Sequence, residues 1–476
     1  MNHLNKRAFA LFAQFWLIPA ITFAQDEQCF APVQAAFTTA AQMCSTTGNN
    51  QACFGSGSLN VQPQEGIAPY SFSQPGDLIS AREIQTLQST PLENGSYGVT
   101  LLRLQTGAPD NQTITLLAFG DVELHNLVNA ADVPPTLDVW PTGSMNIRSG
   151  PSTDDALIGV LDAGDTVTAN GRLGDNSWLR VTLPDGGTGW LFASLVRASG
   201  DINTLDIVDS AGAPVVARYG PMQSFTFRSG VADAPCSGAP ESGILLQTSE
   251  ETTLSINGAE IHLNGTAFLQ ARSELAVNSL EGIVRVGALD VAHVLTPGML
   301  ARVPLDNGGL ASAGPASPEP YDASVVQALP LGNLERAITI APSLSPGQIA
   351  AAGIPTAGDW VTTYSVLTYD CQDGRTDVED RFRSNPLAIQ VEQDGAAITL
   401  LGTQQRDDPP FAPVTLPRIG AGYYAASVTL ENAFGRQSQY EFTLYVLSPT
   451  RMEGVTLGSG GDCTTTGSFT ADFVAG

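Results

Sequence analysis

The residues with the most potential for chemistry are Cys236 and His293. Cys236 begins the tripeptide Cys-Ser-Gly, and His293 lies 57 residues further along the chain. A cysteine thiolate with a histidine as its base can attack a peptide carbonyl. Such a thiolate usually needs a helix N-terminus to lower its pKa. Pro240 and Gly243 oppose a helix directly after Cys236, so the local sequence does not favour that arrangement.

The tripeptide resembles the C-S-G of NlpC/P60 cysteine peptidases, which implies Cys236 as nucleophile and His293 as base. The competing interpretation comes from the cysteine count. An even number of cysteines in an exported chain favours disulfides, here up to three pairs with 15 possible connectivities. We therefore predict a protein that is not an enzyme, with the peptidase as the alternative. No CxxC pair occurs, and we predict no metal and no cofactor. The six cysteines are Cys29, Cys44, Cys53, Cys236, Cys371 and Cys463.

The N-terminus predicts export. Lys6 and Arg7 precede an apolar run that is too short to span a bilayer comfortably, and small residues follow near Ala24. We therefore predict a signal peptide over residues 1–24 and a secreted protein associated with the cell envelope. No later run approaches 18 apolar residues, so we predict no transmembrane segment.

The charge of the chain restricts its partners. Without the predicted signal peptide, 19 arginines stand against 47 acidic residues, a net charge of −28. A chain of this charge repels nucleic acid and anionic lipid headgroups, and both are excluded as partners. The sequence leaves the oligomeric state open.

Short alternating apolar runs dominate the chain and helical periodicity is scarce, so the sequence predicts a mostly β, multi-domain protein with few short helices. A length of 476 residues is too great for one core. We predict a small SH3-like barrel and further β-sandwich or β-barrel domains. The predicted regions are a cysteine-containing N-terminal α+β domain (25–130), the small barrel (138–200), a β-rich domain (203–306), an Ala/Pro/Gly-rich connector (311–357) and a C-terminal β-barrel or sandwich (358–476).

Three local patterns add detail. Asn257-Gly258 and Asp394-Gly395 each separate two strand-like runs and predict tight hairpin turns, because these dipeptides tolerate positive φ. Residues 79–87 predict a short helix. In the last region we predict a disulfide between Cys371 and Cys463, which would close a loop of about 90 residues.

Residues 144–197 contain strands of about five residues at hairpin spacing, as a small barrel requires. The stretch "MNIRSGPSTDDALIGVLDAGDTVT…WLRVTLPDGGTGWLFASLV" resembles a bacterial SH3 domain. This resemblance implies an exported, often wall-directed binding module without catalytic residues. The implied ligand is a cell-wall glycopeptide or a surface protein.

The resemblance implies a binding groove that contains four residues, namely Arg148, Trp178, Trp190 and Phe192. Aromatic faces beside a guanidinium could hold an extended peptide or a sugar. Two alternatives stay open. The tryptophans could instead belong to the core of so small a domain, and Arg148 could bond loop carbonyls around Gly150.

Other stretches carry further resemblances. The stretch "LNGTAFLQARSELAVNSLEGIVRV…HVLTPGMLARVPLD", within residues 250–306, resembles FecR-type extracytoplasmic β domains. The order of a cysteine-rich N-terminal region, an SH3 module and "YGPMQSFTFRSG…PCSGAPESGILLQT" resembles exported SH3 proteins of the Chloroflexota. Gly358-Asp359-Trp360 is similar to the G-x-W of lipocalin-like barrels, which implies a meander or barrel that could enclose a small ligand.

Overall fold

A computed structural model describes residues 23–68, 71–92, 96–106, 112–128, 136–183, 186–208, 210, 212, 219–230, 239–371, 376–378, 384–402, 413–431, 437–460 and 463–474. Nearly all of the predicted signal peptide lies outside the described residues. Cys236 also lies outside them.

The described chain contains 31 strands in three sheets, which confirms the predicted mostly β, multi-domain class. The first seven strands are β1 (Gln51–Ser56), β2 (Leu59–Pro63), β3 (Leu78–Ser80), β4 (Ile84–Ser89), β5 (Val99–Gln105), β6 (Thr113–Phe119) and β7 (Val122–Asn126). The next seven are β8 (Leu137–Pro141), β9 (Met145–Arg148), β10 (Leu157–Leu161), β11 (Val167–Arg172), β12 (Trp178–Thr182), β13 (Thr188–Phe192) and β14 (Val196–Ala198). These are followed by β15 (Ser224–Ser229), β16 (Gly243–Thr248), β17 (Thr252–Ile256), β18 (Ala259–Ala271), β19 (Glu274–Ala288), β20 (Val291–Leu295), β21 (Met299–Pro304) and β22 (Glu319–Pro320). The last nine are β23 (Gly358–Cys371), β24 (Thr376–Val378), β25 (Ser384–Val391), β26 (Ala397–Gly402), β27 (Val414–Gly420), β28 (Tyr423–Glu431), β29 (Gln437–Ser448), β30 (Arg451–Gly460) and β31 (Cys463–Phe473).

The large sheet joins strands from both sides of the seven-stranded sheet in the sequence. β1 to β7 and β15 to β22 form it, in the order β2-β4-β7-β15-β17-β18-β16-β6-β5-β1-β3, with β19 to β22 added at β18. The predicted regions 25–130 and 203–306 therefore do not form separate sheets. Strands β15 to β18 lie as one block between β7 and β6 of the same sheet, because β7 pairs with β15 and β6 pairs with β16.

The seven-stranded sheet is inserted into a hairpin of the large sheet. Asn126 in β7 is the antiparallel partner of Phe225 in β15, so the chain leaves and re-enters the large sheet at neighbouring positions. β8 to β14 lie between these two points, in the order β10-β9-β13-β12-β11-β8-β14.

Two of the three described helices pack in one apolar cluster on the large sheet, and the third contributes Ile349 to the other cluster. The helices are α1 (Phe23–Met43), α2 (Ala323–Gln327) and α3 (Pro346–Ala352). α1 has 21 residues, longer than the short helices predicted. A Cys44–Cys53 disulfide ties its end to β1. Val326 of α2 packs in the same apolar cluster as α1, so the predicted connector forms part of a core.

The helix predicted over residues 79–87 was wrong. The chain there forms β3, a 3₁₀ turn (Ala81–Glu83) and β4. Ile84 and Leu87 are three residues apart, which fits a helical face, and both are fully buried. β4 pairs with β2 on one side and with β7 on the other, so tertiary pairing overrides the local pattern.

The C-terminal sheet closes into an eight-stranded barrel because its first long strand, β23, pairs with its last, β31. Trp360, from the Gly-Asp-Trp motif, is buried in the barrel core. Both predicted hairpin turns occur with positive φ at the two central residues, 53° and 75° at Asn257-Gly258 and 57° and 66° at Asp394-Gly395.

Candidate functional site

The four predicted groove residues lie on one face of the seven-stranded sheet. Alternation along β12 and β13 directs Leu179, Val181 and Leu191 into the apolar core of this sheet. Trp178, Trp190 and Phe192 occupy the alternate positions. Arg148 in β9 is the cross-strand partner of Trp190. The sheet therefore brings all four predicted residues to its outer face.

The two tryptophans form an apolar cluster of their own, separate from the core of the sheet. Trp178 is 7% exposed and Trp190 is 4% exposed, and they pack with Val208 and Leu173. Val208 comes from the chain that follows β14. Both tryptophans are thus buried, but under a peripheral segment and outside the main core.

Backbone hydrogen bonds hold this segment in place. The N–H of Arg172 donates to the carbonyl of Asp206, and the N–H of Val208 donates to the carbonyl of Arg172, both at 2.9 Å. These two bonds make a parallel bridge at the end of β11. A Cβ atom at Gly171 would lie 2.8 Å from a methyl group of Val208, so glycine permits this approach.

Phe192 and Arg148 remain accessible at the rim of the cluster. Phe192 is 40% exposed, and its ring meets that of Trp178 edge-on at 5.4 Å between centroids. The half-buried Arg148 donates from Nη1 to the carbonyl of Asp155 at 2.7 Å. The predicted loop contact of Arg148 is therefore present, and the open part of the face combines an aromatic ring with a partly exposed guanidinium.

Residues 143–197 match the bacterial SH3 domain family. We use the term SH3 module for residues 137–208, which include the match and the covering segment. The match confirms the resemblance predicted for this part of the chain, and it covers about a ninth of the sequence. The FecR-type and Chloroflexota resemblances stay predictions.

No curated protein matches the chain. Among solved structures, a redesigned β-barrel is similar at 18% identity over 25% of this chain and 92% of its own, with a TM-score of 0.17. A protein of unknown function from the DUF3598 family of Nostoc punctiforme is similar at 12% identity over 71% of this chain and 95% of its own, also with a TM-score of 0.17. A TM-score of 0.17 is too low to define a shared fold.

His293, the predicted peptidase base, lies in β20 at the contact with the C-terminal barrel. It is 5% exposed. Its Nδ1 accepts a 2.8 Å hydrogen bond from the N–H of Ala421, and its Nε2 donates to the carbonyl of Pro315 at 3.1 Å. Burial lowers its pKa. Both ring nitrogens are thus occupied by backbone groups, which leaves no free nitrogen for a thiol.

Cys371 and Cys463 are direct antiparallel partners at the seam where β23 meets β31. Partner Cα atoms in antiparallel strands are about 4.5 to 5.5 Å apart, within the range that a disulfide spans. The backbone register therefore supports the predicted disulfide, which stays a prediction.

A cleft of about 380 Å³, which the sequence did not predict, lies between the large sheet and the C-terminal barrel. Arg285 lies in it with Glu251 and Glu453 as ion-pair partners, and its guanidinium stacks 4.6 Å above the ring of Tyr445. Burial raises the pKa of Glu453. Because these oppositely charged groups form ion pairs, their charges largely satisfy one another. They come from elements far apart in the sequence, so no local motif could have revealed the cleft.

Among the described residues, no group of three or more His, Cys, Asp or Glu side chains could hold a metal ion. No helix in the described part of the chain is long and apolar enough to cross a bilayer.

Proposed function

We propose that this protein is an exported, non-catalytic binding protein of the cell envelope, whose SH3 module binds a cell-wall glycopeptide or a surface protein. The match of residues 143–197 to the bacterial SH3 family carries this proposal. The Cys44–Cys53 disulfide supports it, because disulfides persist mainly in extracytoplasmic compartments.

The accessible rim of the SH3 module supplies the chemistry for such a ligand. The exposed ring of Phe192 offers an apolar face to a sugar or a peptide side chain. Arg148 adds donors for the carboxylate or carbonyl groups of a peptide. Trp178 supports Phe192 from below through their edge-on contact.

Sedimentation of the full chain with purified peptidoglycan tests the proposal. We expect the wild-type protein to sediment with the polymer, and Phe192→Ala to weaken its retention about fivefold or more, as loss of a binding aromatic does. Val455→Ala is the matched control, because Val455 is 42% exposed and lies in the C-terminal barrel. Retention of Phe192→Ala equal to that of the control would contradict the assigned surface. Absence of wild-type retention would contradict the glycopeptide and leave the surface protein.

The thiol state of Cys236 separates this function from the peptidase. A mass map that places Cys236 in a disulfide would exclude the peptidase, because the nucleophile would be oxidised. A free, alkylatable Cys236 whose loss abolishes cleavage of cell-wall peptides would contradict the non-catalytic proposal.

A further inference from the structure

One edge of the SH3 module combines an open strand with exposed apolar side chains. β10 (Leu157–Leu161) is the outermost strand of its sheet, and among the described residues only β9 pairs with it. Leu157, Ile158 and Val160 are 57%, 46% and 54% exposed. Three of five residues of an edge strand therefore present large aliphatic groups to solvent.

The opposite edge of the module is protected in the ordinary way. β14 (Val196–Ala198) has three residues and places the charged Arg197 at its centre. Short length and charge are standard defences of a sheet edge against pairing. β10 carries neither a charge nor a proline. Its one irregularity is a bulge between Leu157 and Gly159, and both Leu157 and Ile158 remain exposed there.

Acidic residues flank this edge at both ends. Asp154 and Asp155 precede β10, while Asp162 and Asp165 follow it. Asp154, Asp162 and Asp165 are exposed. The SH3 module as a whole contains nine aspartates and four arginines. The edge is therefore an apolar strip between two negatively charged ends.

We propose that β10 is a docking edge for an extended apolar segment of another protein that carries basic residues at both ends of the segment. The segment adds as a further strand, so that backbone hydrogen bonds supply affinity and alternate side chains contact Leu157, Ile158 and Val160. Its basic ends lie beside the aspartate pairs, which gives the contact its charge selectivity.

A second copy of this chain does not fit the edge. An antiparallel pair of β10 strands would set Asp154 and Asp155 of one copy beside Asp162 and Asp165 of the other. Like charges placed opposite each other across strands are destabilising. The net charge of −26 on each chain adds repulsion at long range.

The test uses the full chain and a synthetic probe. The probe is a nine-residue peptide with two arginines at each end and alternating valine and threonine between them. A second peptide of the same sequence carries N-methyl groups on alternate backbone nitrogens along its bonding edge. Titration at about 0.15 M salt limits general attraction of a cationic peptide to an acidic protein. We expect the first peptide to bind and the N-methylated peptide to bind about tenfold more weakly or worse, since strand addition needs the backbone donors.

Variants locate the contact. Val160→Lys places a charge in the apolar strip and should weaken peptide binding about tenfold or more. Leu195→Lys is the matched control, because Leu195 is 47% exposed and lies outside β10, so its binding should equal that of the wild type. Circular dichroism establishes that both variants fold.

Three results would overturn the inference: no binding of the first peptide by the wild type, equal binding of the two peptides, or equal loss in both lysine variants. A wild-type dimer that Val160→Lys dissociates would also overturn it, because the occupant would then be a second copy. Peptidoglycan retention measured on the same variants keeps the proposed function separate, since that retention depends on Phe192.

Discussion

The Nδ1 atom of His293 accepts a hydrogen bond from the backbone N–H of Ala421. This bond joins the large sheet to the C-terminal barrel, and its length is 2.8 Å. Beside it, the N–H of Val294 donates to the carbonyl of Ala421 at the same distance. The contact requires a neutral imidazole, because a protonated Nδ1 can only donate.

This requirement predicts a pH dependence. Burial lowers the pKa of folded His293 below its usual value of 6.5, and the guanidinium of Arg418 acts in the same direction. Below pH 6.5 the unfolded chain therefore binds more protons than the folded chain, so the free energy of unfolding falls as pH falls through this window, by at most about 1.4 kcal/mol per pH unit. His293→Gln should make the melting temperature depend less on pH between pH 7 and pH 5 than it does in the wild type. Identical slopes in the variant and the wild type would contradict the assignment.

We expect the two disulfides to contribute different amounts to the stability of the protein. A Cys371–Cys463 disulfide closes a loop of about 90 residues and should stabilise the barrel by roughly 4 to 5 kcal/mol in the chain-entropy model. The Cys44–Cys53 loop has a sequence separation of nine, which corresponds to about 2.6 kcal/mol in the same model. Calorimetry should therefore show a larger loss for the Cys371→Ser, Cys463→Ser double variant than for Cys44→Ser, Cys53→Ser. Detection of Cys371 and Cys463 as free thiols in the native protein would contradict this prediction.

The insertion point predicts that the SH3 module is dispensable for the large sheet. Asn126 and Phe225 are direct strand partners, so a short connection can replace the chain between them. We expect a variant in which about a dozen Gly/Ser residues replace residues 129–218 to keep the pairing of β7 with β15. Hydrogen exchange should show protected amides in both strands. Loss of protection throughout the large sheet would show that the module is needed for its folding.

We expect truncation of Val208 to expose the two tryptophans of the SH3 module. Val208→Ala removes methyl groups that pack on Trp178 and Trp190, and it should destabilise the module by about 1 to 3 kcal/mol. Tryptophan fluorescence should shift to the red and become easier to quench with acrylamide. Ile207→Ala provides the control, because the neighbouring Ile207 side chain is 40% exposed. Equal spectra for the two variants would mean that Val208 does not cover the tryptophans.

We expect the side-chain hydrogen bonds of Asn257 to contribute to the free energy of unfolding. Its buried Nδ2 donates to the carbonyls of Phe227 at 3.0 Å and Gly309 at 2.6 Å, while φ is 53°. Asn257→Gly keeps the backbone conformation and removes these bonds, which should cost about 1 to 3 kcal/mol in urea unfolding. Asn257→Ala should cost more, because alanine also disfavours the positive φ. Greater stability of the alanine variant would contradict the role given to the turn conformation.

Short-range signals predicted the parts of this protein that neighbouring residues determine. The motifs between Met145 and Trp190 identified the SH3 module, since each turn and each strand there lies within a few residues of the next. Asn257-Gly258 and Asp394-Gly395 predicted their hairpins because positive φ is a property of those residues themselves. The pattern at residues 79–87 failed because Ile84 and Leu87 fit a helix as well as a strand, and only their neighbours β2 and β7 distinguish the two.

The sequence by itself determined a mostly β, acidic chain with a bacterial SH3 module and two tight hairpins. Only the tertiary structure decided that β7 and β15 lie side by side, that Val208 covers the tryptophans of the module, and that His293 joins two domains. The reason is physical. Alternation shows which face of a strand is buried, but the partner of each strand depends on how distant segments pack together, and a single sequence carries no local signal for that choice.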